Sequence, residues 1–247
     1  MLLFYIRHGD PIYEPNSLTP LGFRQAEAIG RRLARYGLDE IYVSSSTRAR
    51  QTAQPVCEML HKEATVLDWT NEDHAWAQMT FPAPGGGLTW GFFTREVQNV
   101  FTSPEVRNSG DRWMEHPIFQ GTTFVEGYLR IRRETRAFLE QEGFAWDDEK
   151  GQYRNLSRRK ETPCADPYGK RVALFAHHGF GTSFLSNVMD IPYPQICIKT
   201  DLSHSDMTVI HFNEADEYVI PRMLTMSNDG HLMADGLPTR YNNLVCF

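Results

Sequence analysis

Two short segments of the sequence place histidine directly after an apolar run. Residues 2–6 precede Arg7-His8-Gly9, and residues 172–176 precede His177-His178-Gly179. Each run has the length and the residue types of a buried β-strand. Ligands bind at the carboxyl edge of an open α/β sheet, so these strands would present imidazole and guanidinium groups to the same ligand.

The chemistry that these groups suit is phosphoryl transfer. A guanidinium repels a metal cation but binds phosphate in a bidentate fork, and Arg48 supplies a second one near the start of a predicted helix. A neutral histidine can attack phosphorus through Nε2 while the other positive groups stabilise the transferring oxygens. The leaving alkoxide needs a proton, and the candidate donors lie in Asn71-Glu72-Asp73-His74.

The elements around these residues predict the fold. Thr19-Pro20 has the pattern of a helix start, and that helix should end near Tyr36-Gly37. Residues 40–44 read as a second strand, and Ser45-Ser46-Thr47 caps the next helix. Alternating strands and helices predict an α/β fold: a three-layer sandwich with a mostly parallel central sheet and helices on both faces.

The middle of the chain lacks this alternation. We expect one domain over residues 1–247, with residues 77–169 inserted as a cap. Within that block, Thr123-Phe-Val-Glu126 matches a capping box, which predicts a helix running to Glu142.

Other segments carry simpler expectations. Residues 82–87 (PAPGGG) predict a flexible loop, and residues 145–170 are polar and predict a long surface loop. Residues 208–212 and 218–220 are predicted to form a final pair of strands, and no periodicity is readable from Thr225 onward.

Composition limits the class of protein. The chain has 247 residues, 41% hydrophobic and 23% charged, and its net charge of -6 argues against a nucleic-acid or anionic-membrane partner. Its four cysteines are far apart, and the N-terminus has neither a basic segment nor a long apolar one. The sequence therefore predicts a reduced, cytoplasmic enzyme without a disulfide framework or a membrane span.

A metal site is a minor alternative. His177, His178, His204 and His211 are possible ligands, but the neighbouring arginines disfavour a bound cation. We therefore predict no metal and no cofactor, and a small phosphorylated molecule as the partner.

The motifs together resemble a known family. Arg7-His8-Gly9 after an N-terminal strand looks like the RHG motif of the histidine phosphatase superfamily, the phosphoglycerate-mutase-like proteins. Residues 18–26 are similar to its LTxxGxxQA segment, and residues 44–53 resemble SSxxxRAxQTA. The strand before His177 resembles the strand that carries the family's second histidine.

The resemblance implies a role for each matched residue. His8 becomes the nucleophile that forms phosphohistidine, while Arg7, Arg48 and the second histidine clamp the phosphoryl group. Residues 71–74 are similar to the NERH stretch of the mutase branch, which implies that Glu72 is the proton donor, with Asp73 as the next candidate.

Two features depart from the family pattern. Asp10 replaces the glutamate that commonly follows RHG, and His177-His178-Gly179 offers two registers for the second histidine. The length of the strand and the small Ala176 favour His177, which leaves the His178 backbone N–H near the phosphate.

The leading hypothesis is a metal-independent phosphomonoesterase. Phosphoglycerate mutase is the alternative with the same chemistry, although the basic segments that would hold a bisphosphoglycerate are not evident. A phospho-ligand binding or regulatory protein with little turnover is the alternative from a different class.

Overall fold

The computed structural model describes residues 1–156 and 169–239. The strands in these ranges are β1 Leu2–Arg7, β2 Pro11–Ile12, β3 Ser17–Leu18, β4 Glu40–Ser44, β5 Thr65–Leu67, β6 Thr80–Pro82, β7 Leu88–Trp90, β8 Phe144–Asp147, β9 Gln152–Asn155, β10 Arg171–Ala176, β11 Met207–His211, β12 Tyr218–Val219 and β13 Arg222–Asn228. The α-helices are α1 Pro20–Tyr36, α2 Thr47–Leu60, α3 Glu72–Met79, α4 Arg95–Thr102, α5 Pro104–Arg107, α6 Phe124–Gln141, α7 His178–Met189, α8 Tyr193–Cys197 and α9 Gly230–Ala234. Short 3-10 helices cover Asp68–Thr70, Gly91–Phe93, Gly110–Glu115 and Pro117–Phe119.

A six-stranded sheet in the order β13-β11-β1-β10-β4-β5 forms the centre of the molecule. β1, β10, β4 and β5 run parallel, whereas β11 is antiparallel to both of its neighbours, β1 and β13. The predicted α/β class with a mostly parallel central sheet is therefore confirmed.

The two faces of the sheet are both buried, as the uninterrupted apolar run of β1 predicts. Leu2, Phe4 and Ile6 pack with residues of α1 and α2 on one face. Leu3 and Tyr5 pack with residues of α6 and α7 on the other. Because both faces are covered by helices, side chains of the sheet can reach a ligand only at the ends of the strands.

Both α1 and α6 begin where the sequence predicts, but only α1 has the predicted side-chain cap. Thr19 accepts a hydrogen bond from the Gly22 N–H at 3.0 Å, which satisfies one free N–H of the first turn of α1. Thr123 makes no such bond, because its hydroxyl donates to the Gln78 carbonyl at 3.0 Å instead. The capping box was therefore a wrong interpretation, although the helix that it predicted is present.

One loop prediction is corrected, and one strand prediction is confirmed. Residues 145–170 include a hairpin of β8 and β9 rather than surface loop alone, and residues 157–168 of this segment lie outside the described ranges. The strands predicted at residues 208–212 and 218–220 are both present, as β11 and β12. They belong to different sheets, because β12 pairs with β9 whereas β11 lies between β1 and β13.

The middle block shares a core with the sheet. Phe101, Trp113 and Phe124 belong to the same buried cluster as Leu3 and Tyr5. The division of the chain into a core and a cap over residues 77–169 stays a prediction.

The sequence also predicts that the chain has no disulfide framework and no membrane span. Cys57 and Cys197 are free thiols in the described part of the chain, while Cys164 and Cys246 lie outside it. Among the described residues, the helices are all too short or too polar to cross a bilayer.

Candidate active site

The register of the central strands brings the two histidine segments together. β1 and β10 are parallel neighbours with Arg7 opposite Ala176, and the His8 N–H donates to the Ala176 carbonyl at 3.0 Å. The residues that follow each strand are therefore adjacent, and the ring centroids of His8 and His177 lie 5.2 Å apart.

His8 is held in one tautomer. Its Nδ1 lies 2.7 Å from the Gly9 carbonyl, which can only accept, so the proton sits on Nδ1. Its Nε2 accepts from the Nε of Arg48 at 3.2 Å. Burial, reinforced by the neighbouring His177, Arg7 and Arg48, holds the pKa of His8 well below its ordinary value. The ring is therefore held neutral with its lone pair on Nε2, where Arg48 occupies the position that an electrophile would take.

Arg7 is fixed by main chain and by a third histidine. One guanidinium nitrogen donates to the Leu202 carbonyl, and another lies 2.7 Å from His204 Nε2. Burial and the charge of Arg7 lower the pKa of His204 to about 2, so its neutral ring can accept from Arg7. The ring also lies beside His8, with centroids 5.6 Å apart.

His177 is fully buried between Arg48 and the end of β4. Its Nδ1 lies 3.2 Å from an Arg48 guanidinium nitrogen, and its Nε2 lies 2.8 Å from the Ser44 hydroxyl. The Tyr5 hydroxyl donates to the His177 carbonyl at 2.5 Å and accepts from the His177 N–H at 3.1 Å. Burial and the charges of Arg48 and Arg7 hold the pKa of His177 well below its ordinary value.

Glu72 starts α3 and lies close to the paired histidines. Its Oε1 accepts from the Gly179 N–H at 2.8 Å, and its Oε2 lies 3.6 Å from His177 Nδ1. Oε2 is buried and accepts no hydrogen bond from any residue that the structure describes. Asn71 caps the same helix by accepting from the Asp73 N–H at 3.0 Å.

His178 has different surroundings from His177. It begins α7, its ring stacks on Phe93 at 5.9 Å, and its Nε2 lies 2.9 Å from Asp201 Oδ1. Burial lowers the pKa of His178, and its contact with Asp201 opposes this shift. The structure thus brings His177, and not His178, into contact with Arg48.

An open cavity of about 840 Å³ adjoins this cluster, and His177, which is fully buried, lies behind its wall and is not among the lining residues. Its inner end is lined by Arg7, His8, Arg48 and Glu72, and His178 lies on its wall. The volume falls within the range of sites that bind small molecules.

Several neighbours of the predicted residues were not predicted. Asn16 Oδ1 accepts from the Arg48 N–H at 3.2 Å, and the Thr52 hydroxyl accepts from the Gly9 N–H at 3.0 Å. Gly9 was expected to allow a turn or a close ligand contact, and its close approach is to the backbone of Gly22, which any Cβ on Gly9 would overlap. His204 appeared in the sequence only as a possible metal ligand.

The minor metal hypothesis gains no support from the positions of the four histidines. His211 pairs with Leu2, at the opposite end of β1 from Arg7. Over residues 1–156 and 169–239, no group of three or more His, Cys, Asp or Glu side chains is arranged to hold a metal ion.

The sequence was compared with known families and proteins. Residues 3–83 match the histidine phosphatase superfamily (branch 1). A putative phosphoserine phosphatase 2 from Hydrogenobacter thermophilus is 26% identical over 147 residues, which are 56% of this chain and 64% of that protein. The match therefore spans less than two thirds of the relative's length.

Solved structures share the fold over nearly the whole chain. A mycobacterial glucosyl-3-phosphoglycerate phosphatase has a TM-score of 0.56 at 20% identity, covering 92% of this chain and 98% of that one. Phosphoserine phosphatase from Entamoeba histolytica has a TM-score of 0.56 at 17% identity, covering 94% and 98%. These two likenesses concern the fold. With the match over residues 3–83, they confirm the resemblance that the motifs predicted: residues 3–83 carry the signature of the histidine phosphatase superfamily, and the chain shares its fold with these phosphatases.

Proposed function

We propose that the protein is a phosphomonoester hydrolase that works through a phosphohistidine on His8. One observation carries this proposal. The Gly9 carbonyl holds the proton of His8 on Nδ1, while Nε2 faces the Arg48 guanidinium in a cavity that Arg7 also lines. A neutral imidazole beside positive groups is a nucleophile placed where an anionic phosphoryl group binds.

The first step forms the covalent intermediate. Arg7, Arg48 and His177 bind the oxygens of the phosphoryl group, and His8 Nε2 attacks phosphorus opposite the ester oxygen. The P–N bond forms as the P–O bond to the leaving group breaks. Glu72, protonated at the start, gives its proton to the departing alkoxide.

The second step releases phosphate. The Glu72 carboxylate takes a proton from a water molecule, whose oxygen attacks phosphorus as the P–N bond breaks. The electron pair of that bond returns to Nε2. Glu72 is protonated again, and inorganic phosphate leaves the cavity.

Charges of the chain itself neutralise the phosphoryl oxygens in this scheme, so we propose a metal-independent enzyme. The partners are small phosphorylated molecules, in line with the phosphoserine and glucosyl-3-phosphoglycerate named for the relatives. Hydrolysis is favoured over the mutase alternative, because Arg7 and Arg48 are the basic side chains of the described cavity wall and both serve the transferring phosphate.

The test is substitution of the nucleophile. His8→Ala should reduce phosphate release from a panel of phosphorylated metabolites to background while leaving thermal unfolding intact. Acid-labile, base-stable labelling by a ³²P-phosphoester should disappear with it. His211→Ala, at the opposite end of β1, is the matched control and should retain both signals.

Three outcomes would contradict this proposal. Full activity in His8→Ala, or a label that persists, would exclude His8 as the nucleophile. Binding of phosphate without turnover in the unaltered protein would favour a regulatory protein. Isomerisation of 3-phosphoglycerate much faster than phosphate release would favour the mutase.

A further inference from the structure

Phosphoryl transfer leaves part of the cavity wall without a role. Four aromatic side chains belong to it, namely Tyr13, Trp76, Trp90 and Phe93. Tyr13 comes from the turn between β2 and β3, Trp76 from α3, Trp90 from the end of β7 and Phe93 from the 3-10 helix that follows.

The position of Glu72 shows which part of a substrate meets these rings. Glu72 and Trp76 are four residues apart on α3, so they share one face of the helix at about 5–6 Å. In the proposed reaction, a proton from Glu72 goes to the ester oxygen. A leaving group attached to that oxygen would therefore lie within reach of Trp76.

The rings form a wall of flat apolar surfaces. Trp76 and Trp90 meet edge to face, with centroids 5.2 Å apart and planes at 89°. Trp76 is 37% exposed and Tyr13 is 65% exposed, so both present ring surface that a ligand can cover. On the inner side, the Arg48 guanidinium lies 5.4 Å from the Tyr13 ring centroid.

Carboxylates outnumber guanidinium groups on the cavity wall. Glu14, Glu72 and Asp73 line it, and Arg7 and Arg48 are its Arg and Lys side chains in the described part of the chain. A carboxylate on the leaving group would therefore lie near like charges and over the electron-rich faces of the rings.

We propose that Tyr13, Trp76, Trp90 and Phe93 form a subsite that selects a flat, uncharged aromatic leaving group over a carboxylate-bearing one. This second proposal rests on the proposed function, because binding of the phosphoryl group by Arg7 and Arg48 orients the leaving group. Its preference would differ from the carboxylated substrates in the names of the relatives.

Equilibrium binding of phosphonates tests the subsite without turnover. Ethylphosphonate, 2-phenylethylphosphonate, 2-carboxyethylphosphonate and 2-aminoethylphosphonate share the anionic head and differ in the body. The phenyl compound should bind about tenfold or more tightly than the ethyl compound, because its ring leaves water. The carboxyl compound should bind no more tightly than the ethyl compound.

Substitutions of Trp76 test whether the aromatic side chains cause the preference for the phenyl compound. Trp76→Ala should reduce the phenyl-to-ethyl affinity ratio to about threefold or less, whereas Trp76→Phe should keep most of it. Met233→Ala removes another exposed apolar side chain, on α9, and should keep the full ratio.

The outcomes separate the two proposals. If ethylphosphonate does not bind, the claim that Arg7 and Arg48 hold the phosphoryl group is wrong, and the proposed function is wrong with it. Binding of ethylphosphonate with no phenyl advantage, or an unchanged ratio in Trp76→Ala, would overturn the subsite alone. A clear preference for the carboxyl or the amino compound would also overturn it.

Discussion

At the scale of single residues, His177 and His178 are adjacent in sequence but have different environments. His177 contacts Arg48 and lies beside His8, whereas His178 contacts Asp201 and Phe93. The sequence favoured His177 as the second histidine on the length of its strand, and these contacts support the same proposal.

Substitution of each histidine by alanine should therefore have unequal effects. His177→Ala should lower kcat by about tenfold or more relative to His178→Ala, which corresponds to loss of a transition-state contact of at least ~1.4 kcal/mol. Steady-state kinetics on one substrate measures the difference, with urea unfolding as the check on folding. The reverse ranking would assign the clamp to His178.

Glu72 can be tested through the leaving group. Glu72→Gln keeps an oxygen for the Gly179 N–H but removes the transferable proton. It should slow hydrolysis of alkyl phosphates far more than that of p-nitrophenyl phosphate, since nitrophenolate leaves without a proton. Equal losses on both substrates would show that Glu72 is structural, and Asp73→Asn would be the next variant to measure.

At the scale of elements, the bounds of a strand or helix were predicted correctly where the residues of the segment themselves determine its backbone conformation. The bounds of β4 and α1 follow from their β-branched run and from the Thr19-Pro20 start. The pairing of β11 with β13 did not follow, because β13 has no buried residue and its register is set by its neighbour.

The candidate site was also predictable only in part. His8 and His177 end strands, so topology alone places them together. His204 lies in a loop between α8 and β11, and no local pattern indicates that it contacts Arg7. Which aromatic rings line the cavity depends on packing and not on local sequence: Trp113 is enclosed in the core, whereas Phe93 lines the cavity and Trp90 belongs to both.

The start of α7 supports a prediction at this scale. A Cβ on Gly179 would overlap the Trp90 indole, and the Gly179 N–H holds Glu72. Gly179→Ala should therefore lower activity and cost about 1–3 kcal/mol in the free energy of unfolding. Gly85→Ala, with open space around the added methyl, is the control and should change neither quantity appreciably. Wild-type stability in Gly179→Ala would show that Trp90 moves freely.

At the scale of the whole molecule, an acidic protein gathers two guanidinium groups at one end of its sheet. The chain carries a net charge of -6, yet Arg7 and Arg48 line the same cavity as His8. In the proposed scheme these two groups neutralise the phosphoryl oxygens without a metal ion, so activity should survive EDTA. Vanadate should inhibit as a mimic of the transferring phosphoryl group. Loss of activity on chelation, restored by a divalent ion, would contradict the metal-independent scheme.

The central position of β1 also has a consequence for how the protein is made. β1 is flanked by β10 and β11, which follow it by more than 160 residues. During synthesis from the N-terminus, β1 therefore has no neighbour in the sheet until most of the chain has left the ribosome. Contacts so distant in sequence form slowly. We expect a nascent chain ending before Arg171 to expose the apolar run of β1 to chaperones, and the nucleophile to meet its clamp only as the last strands dock.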